Sequence, residues 1–184
     1  MSRSAMSLAL ILVLTSPLAA DEVSDTLRSA LEAYEEGDLS YALEELDFAR
    51  QKMMTMKADS LGGFLPPAPE GWTRTVNTEM SAAMGMMGGG VGAEATYADP
   101  DGTEITLSIM ADNPMVGAMS GMLANAGMMG MQVERVGRQK FAIQDNTVQG
   151  LIDNRILVKG EGEADAVLDL LGQMDFRELG RFGT

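Results

Sequence analysis

The chain has 184 residues, 27 acidic against 13 basic side chains, a net charge of −14, and neither cysteine nor histidine. The acidity sets it against nucleic acid and anionic lipid as partners. The missing thiol and imidazole remove the commonest carriers of nucleophilic and acid–base chemistry.

Residues 1–20 read as an export signal. Arg3 and the amino terminus supply the positive start, Ala5 to Thr15 is an uncharged apolar run, and Pro17-Leu18-Ala19-Ala20 is a small-residue cleavage site before Asp21-Glu22. The run falls short of the ~20 apolar residues that a transmembrane helix needs. The expected location is periplasmic or secreted. With no cysteine after the signal, a bacterial lipid anchor is not expected, and without disulfides packing alone must stabilise the fold.

Residues 21–61 predict an acidic helical hairpin. Leu27, Ala30, Leu31 and Tyr34 recur at helical spacing as one apolar face. Gly37-Asp38 breaks the run, and Asp38 is placed to cap a second helix carrying Ala42, Leu46, Ala49 and Met53 on one side. Ten acidic and two basic residues between Asp21 and Arg50 make the outer surface strongly negative. Ala30, Ala33, Gly37, Ala42, Leu46 and Ala49 stand at small-residue and turn positions that resemble a tetratricopeptide repeat, with Glu36 to Leu43 as its turn. The likeness covers residues 24–53 and a single unit, and implies a TPR-like hairpin.

Gly62-Gly63 and the proline-rich run Leu65 to Gly71 predict a stiff linker over residues 62–71, which places a domain boundary there. Residues 72–184 then predict an antiparallel α+β domain. Trp72 opens its first strand, either as an anchor into the core or as the wall of a groove. Met80 to Gly92 is a methionine- and glycine-rich loop. Val91, Ala93, Ala95 and Tyr97 alternate with smaller or polar residues, Asp99-Pro100-Asp101-Gly102 is a turn, and Ile105, Leu107 and Ile109 alternate with polar residues, so these strands pair as a hairpin. Asn113 caps a helix with Pro114 at its first position, running to about Ala126. Four short strands follow between Gln132 and Lys159, with turns at Gly137, Asp145-Asn146 and Asp153-Asn154, and a last amphipathic helix carries Ala164, Val167, Leu168 and Leu171.

The expected fold class is α+β: a helical hairpin, then about six antiparallel strands with two helices on one face. The segments Asp101 to Ile109 and Ile156 to Gly160, each followed by a helix, resemble secreted bacterial α+β domains with a cupped antiparallel sheet. That likeness concerns architecture and lends no residue a role.

Catalysis has few candidates. Asp99, Asp101, Glu104 and Asp153 are turn carboxylates, Ser108 and Ser120 have no histidine to activate them, and Gly85 to Gly92 lacks the Lys-Ser/Thr of a phosphate loop. The expectation is a protein that is not an enzyme and holds no cofactor. Eleven of the 17 methionines lie between Met80 and Met131, where Leu123 is the single leucine after Met110. Thioethers give an adaptable apolar surface. Trp72, Met84, Met86, Met87, Met115, Met119 and Met122 are therefore the candidate contacts for an envelope protein or a small apolar ligand. The alternative is Cu(I) or Ag(I), which thioethers favour, with Met84, Met86 and Met87 as ligands. Arg135, Arg138 and Lys140 read as solvated charges protecting a sheet edge.

Overall fold

The computed structural model describes residues 18–77, 81 and 89–183, with side chains from Glu22 onward. Residues 1–17 of the expected signal lie outside the described residues, and so do Met84, Met86 and Met87. The chain forms two compact units, Met1–Arg50 and Gln51–Thr184. No helix among the described residues is long and apolar enough to cross a membrane.

In the first unit, α1 (Leu18–Glu36) is followed by the start of α2 (Leu39–Gly62). The turn closes because Gly37 adopts a left-handed φ of 88°. Its N–H donates to Tyr34 O, and the N–H of Asp38 reaches back to Ala33 O, which satisfies two end carbonyls of α1. Asp38 Oδ1 then accepts from Tyr41 N and starts α2. Between the helices the buried residues are Val23, Thr26, Ala30 and Ala33 of α1 and Ala42 and Ala49 of α2. This seam differs from the expected apolar faces. Ala30, Ala42 and Ala49 go inward, whereas Leu27, Leu31, Tyr34 and Leu46 stay exposed. Alanine lets two backbones approach closely, and a row of leucines on the same line would hold them apart.

The second unit is built on a seven-stranded antiparallel sheet, one strand more than expected. Its strands are β1 (Thr73–Asn77), β2 (Val91–Ala98), β3 (Glu104–Ala111), β4 (Gln132–Val136), β5 (Gln139–Gln144), β6 (Thr147–Ile152) and β7 (Ile156–Glu161), in the order β1-β2-β3-β7-β6-β5-β4. The turns follow from the sequence. Asp99 Oδ1 accepts from Asp101 N and Thr103 N to close the β2–β3 loop. Asp153 and Asn154 both take positive φ, the two-residue hairpin geometry that these residues tolerate.

One face of the sheet carries the main core. Ala93 and Ala95 stand opposite Ile109 and Leu107, so small side chains on one strand accommodate large ones on the next. Val148, Ile152, Ile156, Val158 and Phe141 continue this layer. It is covered by Leu61 at the end of α2, by Leu65, and by α4 (Ala164–Leu171) and α5 (Phe176–Leu179), with Val167, Leu170, Leu171 and Leu179 buried. Gly160 permits the contact with α4, because a Cβ there would collide with Val167 Cγ1 and approach Leu107 Cδ2 to 2.9 Å.

Residues 62–71, the expected linker, pack inside this second unit. Leu65 is buried, and the Tyr97 hydroxyl donates to Pro66 O at 2.7 Å. Arg74 Nη2 donates to the carbonyls of Gly62 and Leu65. Burial raises the Tyr97 pKa, with Arg74 opposing, so the hydroxyl serves as a neutral donor. The division between the units falls earlier than the proline-rich run, within α2.

Candidate functional site

The opposite face of the sheet is assembled from α3 (Pro114–Ala124) and a 3-10 turn, Ala126–Met129. The start of α3 is fixed by Asn113. Its Oδ1 accepts from Met115 N, and its Nδ2 donates to Gly89 O, both at 2.8 Å, so one amide caps the helix and fastens the end of the glycine-rich segment. Gly90 sits beneath it at φ 105°, where a Cβ would lie 2.9 Å from Asn113 Cβ. Ser81 fastens the same segment farther up, with its Oγ donating to Gly92 O and accepting from Gly92 N. The far end of α3 closes through Asn125 Nδ2 to Gly121 O, and Gly130 takes the left-handed φ that releases the chain into β4.

This helix is poorly covered. Val116 is its one buried residue, although no charged side chain occurs between Asp112 and Glu134. Met115, Met128 and Met129 are 55, 83 and 58 % exposed, and Met119 and Met122 are half-buried. Beneath it lies an open cavity of about 360 Å³. Leu123, Ala126 and Met128 form one wall and Val133 and Ala142 the other, with Lys140 and Gln149 as its polar members. Strand register explains the second wall: Val133 pairs with Ala142, and Ala142 with Gln149, in one row across β4, β5 and β6. The row is small or polar where a closed core would place bulk, and so space is left.

Met115, Met119 and Met122 share α3, but none of the three lines the cavity, whose methionine is Met128 of the 3-10 turn. Trp72 is not brought to them. It precedes β1 at the other edge of the sheet and packs, half-buried, against the main core. Of its two expected roles, the structure places it in the anchor's position. Met84, Met86 and Met87 lie outside the described residues.

No family model, curated protein or solved structure matches this chain. Function has to be argued from the site itself.

The cavity residues Val133, Lys140, Ala142 and Gln149 escaped the sequence reading. Their signal lies in pairing between three strands, and it becomes legible once the turns at Gly137 and Asp145-Asn146 fix the register. Arg135 and Lys140 pair across β4 and β5 on the exposed edge of the sheet. Among the described residues no three His, Cys, Asp or Glu side chains group to hold a metal ion.

Asp112, at the junction of β3 and α3, is held by two cations. Lys57 Nζ and Arg155 Nη1 donate to it at 2.8 and 3.0 Å. Arg155 Nη2 also donates to the carbonyls of Gly180 and Phe182. Partial burial pushes the Asp112 pKa up, but the hydrogen bonds and charges of Lys57 and Arg155 outweigh it and hold the carboxyl below its ordinary value. Arg155 thereby ties the β3–α3 junction to the carboxy-terminal turns, and Lys57 ties it to α2.

Proposed function

We propose that this is an exported, non-catalytic envelope protein, periplasmic or secreted, that binds a protein segment or a small apolar ligand. It does so through the methionine layer of α3 and the cavity beneath. The observation that supports this reading is the exposure of α3. An uncharged helix of 11 residues buries only Val116, and the exposed Met128 lines an open, largely apolar space. Surface apolar groups gathered in this way mark interaction sites. Methionine suits them because its flexible thioether repacks against partners of different shape. Lys140 and Gln149 offer a polar end to whatever enters.

The test uses an apolar fluorophore, anilinonaphthalene sulfonate, titrated into the full chain. Saturable single-site binding is expected. Met128→Glu combined with Val133→Glu, both at exposed positions, should weaken it at least about tenfold with an unchanged thermal melt. Absence of saturable binding, or identical binding by the double variant, overturns the reading. Competition against a Cu(I) chelator examines the alternative ligand. Tight Cu(I) binding that vanishes when Met84, Met86 and Met87 become leucine would replace an apolar ligand with a metal.

A further inference from the structure

The first unit carries a second surface, independent of the α3 site. With Val23, Thr26, Ala30 and Ala33 turned toward α2, Leu27, Leu31 and Tyr34 fall on a row roughly a quarter turn around α1. On α2, with Ala42 and Ala49 turned inward, Leu39, Leu43 and Leu46 fall on the equivalent row. In two antiparallel right-handed helices these rows lie on the same side of the hairpin. The other side is marked by the Ser29 hydroxyl donating to the Tyr41 hydroxyl at 3.5 Å. Six large apolar side chains, 39–64 % exposed, therefore share one face of a two-helix unit.

We infer that this face docks a basic amphipathic helix of another protein. Two features of the hairpin select that occupant. The apolar rows form a shallow lane between two helices, which suits the apolar stripe of a third helix. The rim is acidic: Glu35 is exposed beside the α1 row, and residues 21–50 hold ten acidic against two basic side chains. Arg28 and Arg50 are already paired with Asp25 and Asp47. A second copy of the hairpin would bring like charge against like charge, and an anionic membrane would be repelled for the same reason. A helix flanked by lysine or arginine satisfies both the lane and its rim.

The experiment measures fluorescence anisotropy of the full chain with a labelled designed peptide, leucine on one face and lysine on its flanks. A peptide with the same leucine face and glutamate flanks is the comparison. The lysine peptide should bind and weaken as salt rises, and the glutamate peptide should not bind. Leu31→Ser with Leu43→Ser should reduce binding at least about tenfold at unchanged net charge, with helix content held by circular dichroism. Leu27→Ser with Leu46→Ser should do the same, and Tyr41→Ser on the opposite side should leave binding intact. Equal binding by both serine pairs and the native chain would mean bare charge attraction and overturn the site. Equal binding of the two peptides would overturn the choice of a basic partner. A concentration-dependent dimer abolished by both serine pairs would assign the face to a second copy instead.

Discussion

On the main-core face of the sheet, Leu107, Ile109, Val158 and Phe141 are completely buried; one residue along each strand, the other face carries Ser108, Met110, Lys159 and Ala142. The same backbone serves both, because successive side chains in a strand point to opposite sides. The first set is branched or aromatic and is sealed by the end of α2, α4 and α5. The second is small, flexible or polar, and its Ala142 lines the cavity beside α3, a helix with a single buried residue. Side-chain bulk separates the two layers: the main-core face is filled with large groups, whereas the other face, although Ser108 and Ala142 are buried, leaves an open cavity beside α3.

Phe141 on β5 and Met119 on α3 give the strongest way to break that division. Phe141 is fully buried and packs against Phe176 at 5.5 Å between ring centroids. Phe141→Ala should cost about 3–5 kcal/mol in urea unfolding, the range for truncating a buried aromatic. Met119→Ala on α3 should cost less than about 1 kcal/mol. Equal losses would mean that both layers are core. A smaller effect of the same kind is expected at Gly160. Gly160→Ala pushes a methyl into Val167 and Leu107 and should destabilise by about 1–3 kcal/mol, read from the same unfolding curves.

The main-core face was legible in the sequence because alternation in β2 and β3 and the turns at Asp99 to Gly102 and Asp153-Asn154 are local signals. The hairpin's seam was less so. Leu27, Leu31 and Tyr34 have the right spacing for a buried stripe, and hydrophobic bulk favoured them; alanine won because helix–helix distance, which a single helix does not encode, decided which row went inward. Trp72 reads as a core anchor first and a groove wall second, and its half-buried place against the main core is the anchor's. The cavity under α3 depends on Val133, Ala142 and Gln149 meeting across three strands, a register effect that no one of those segments announces.

Asp112 sharpens the comparison at the point where the chain leaves β3 for α3. Its folded pKa lies below the ordinary 3.8, so its contribution is fully present above that value and is lost as pH falls through the lower folded one. Asp112→Asn keeps a residue that tolerates the observed φ of 55° and removes the charge. Near neutral pH the loss should be about 1 kcal/mol, discounted for the partial exposure of the pairs. The variant should also show a flatter fall in stability below about pH 4 than the native protein. An unchanged acid limb in urea unfolding would mean that Lys57 and Arg155 do not hold the junction through this carboxylate.

The smallest effect on stability tests whether α3 exists to be seen. Met115 and Met128 are more than half exposed, so Met115→Gln and Met128→Gln leave no cavity and strand no polar group. Each should move unfolding by no more than about 0.5 kcal/mol. Glutamine keeps the length and helix propensity of methionine but replaces a polarizable sulfur with a hydrated amide. If these side chains are contact surface, binding of the apolar fluorophore should weaken while the unfolding curve stays in place. A pair of variants that lose stability and keep binding would put the methionines to work inside the fold, and the two faces of the sheet would then differ in density alone.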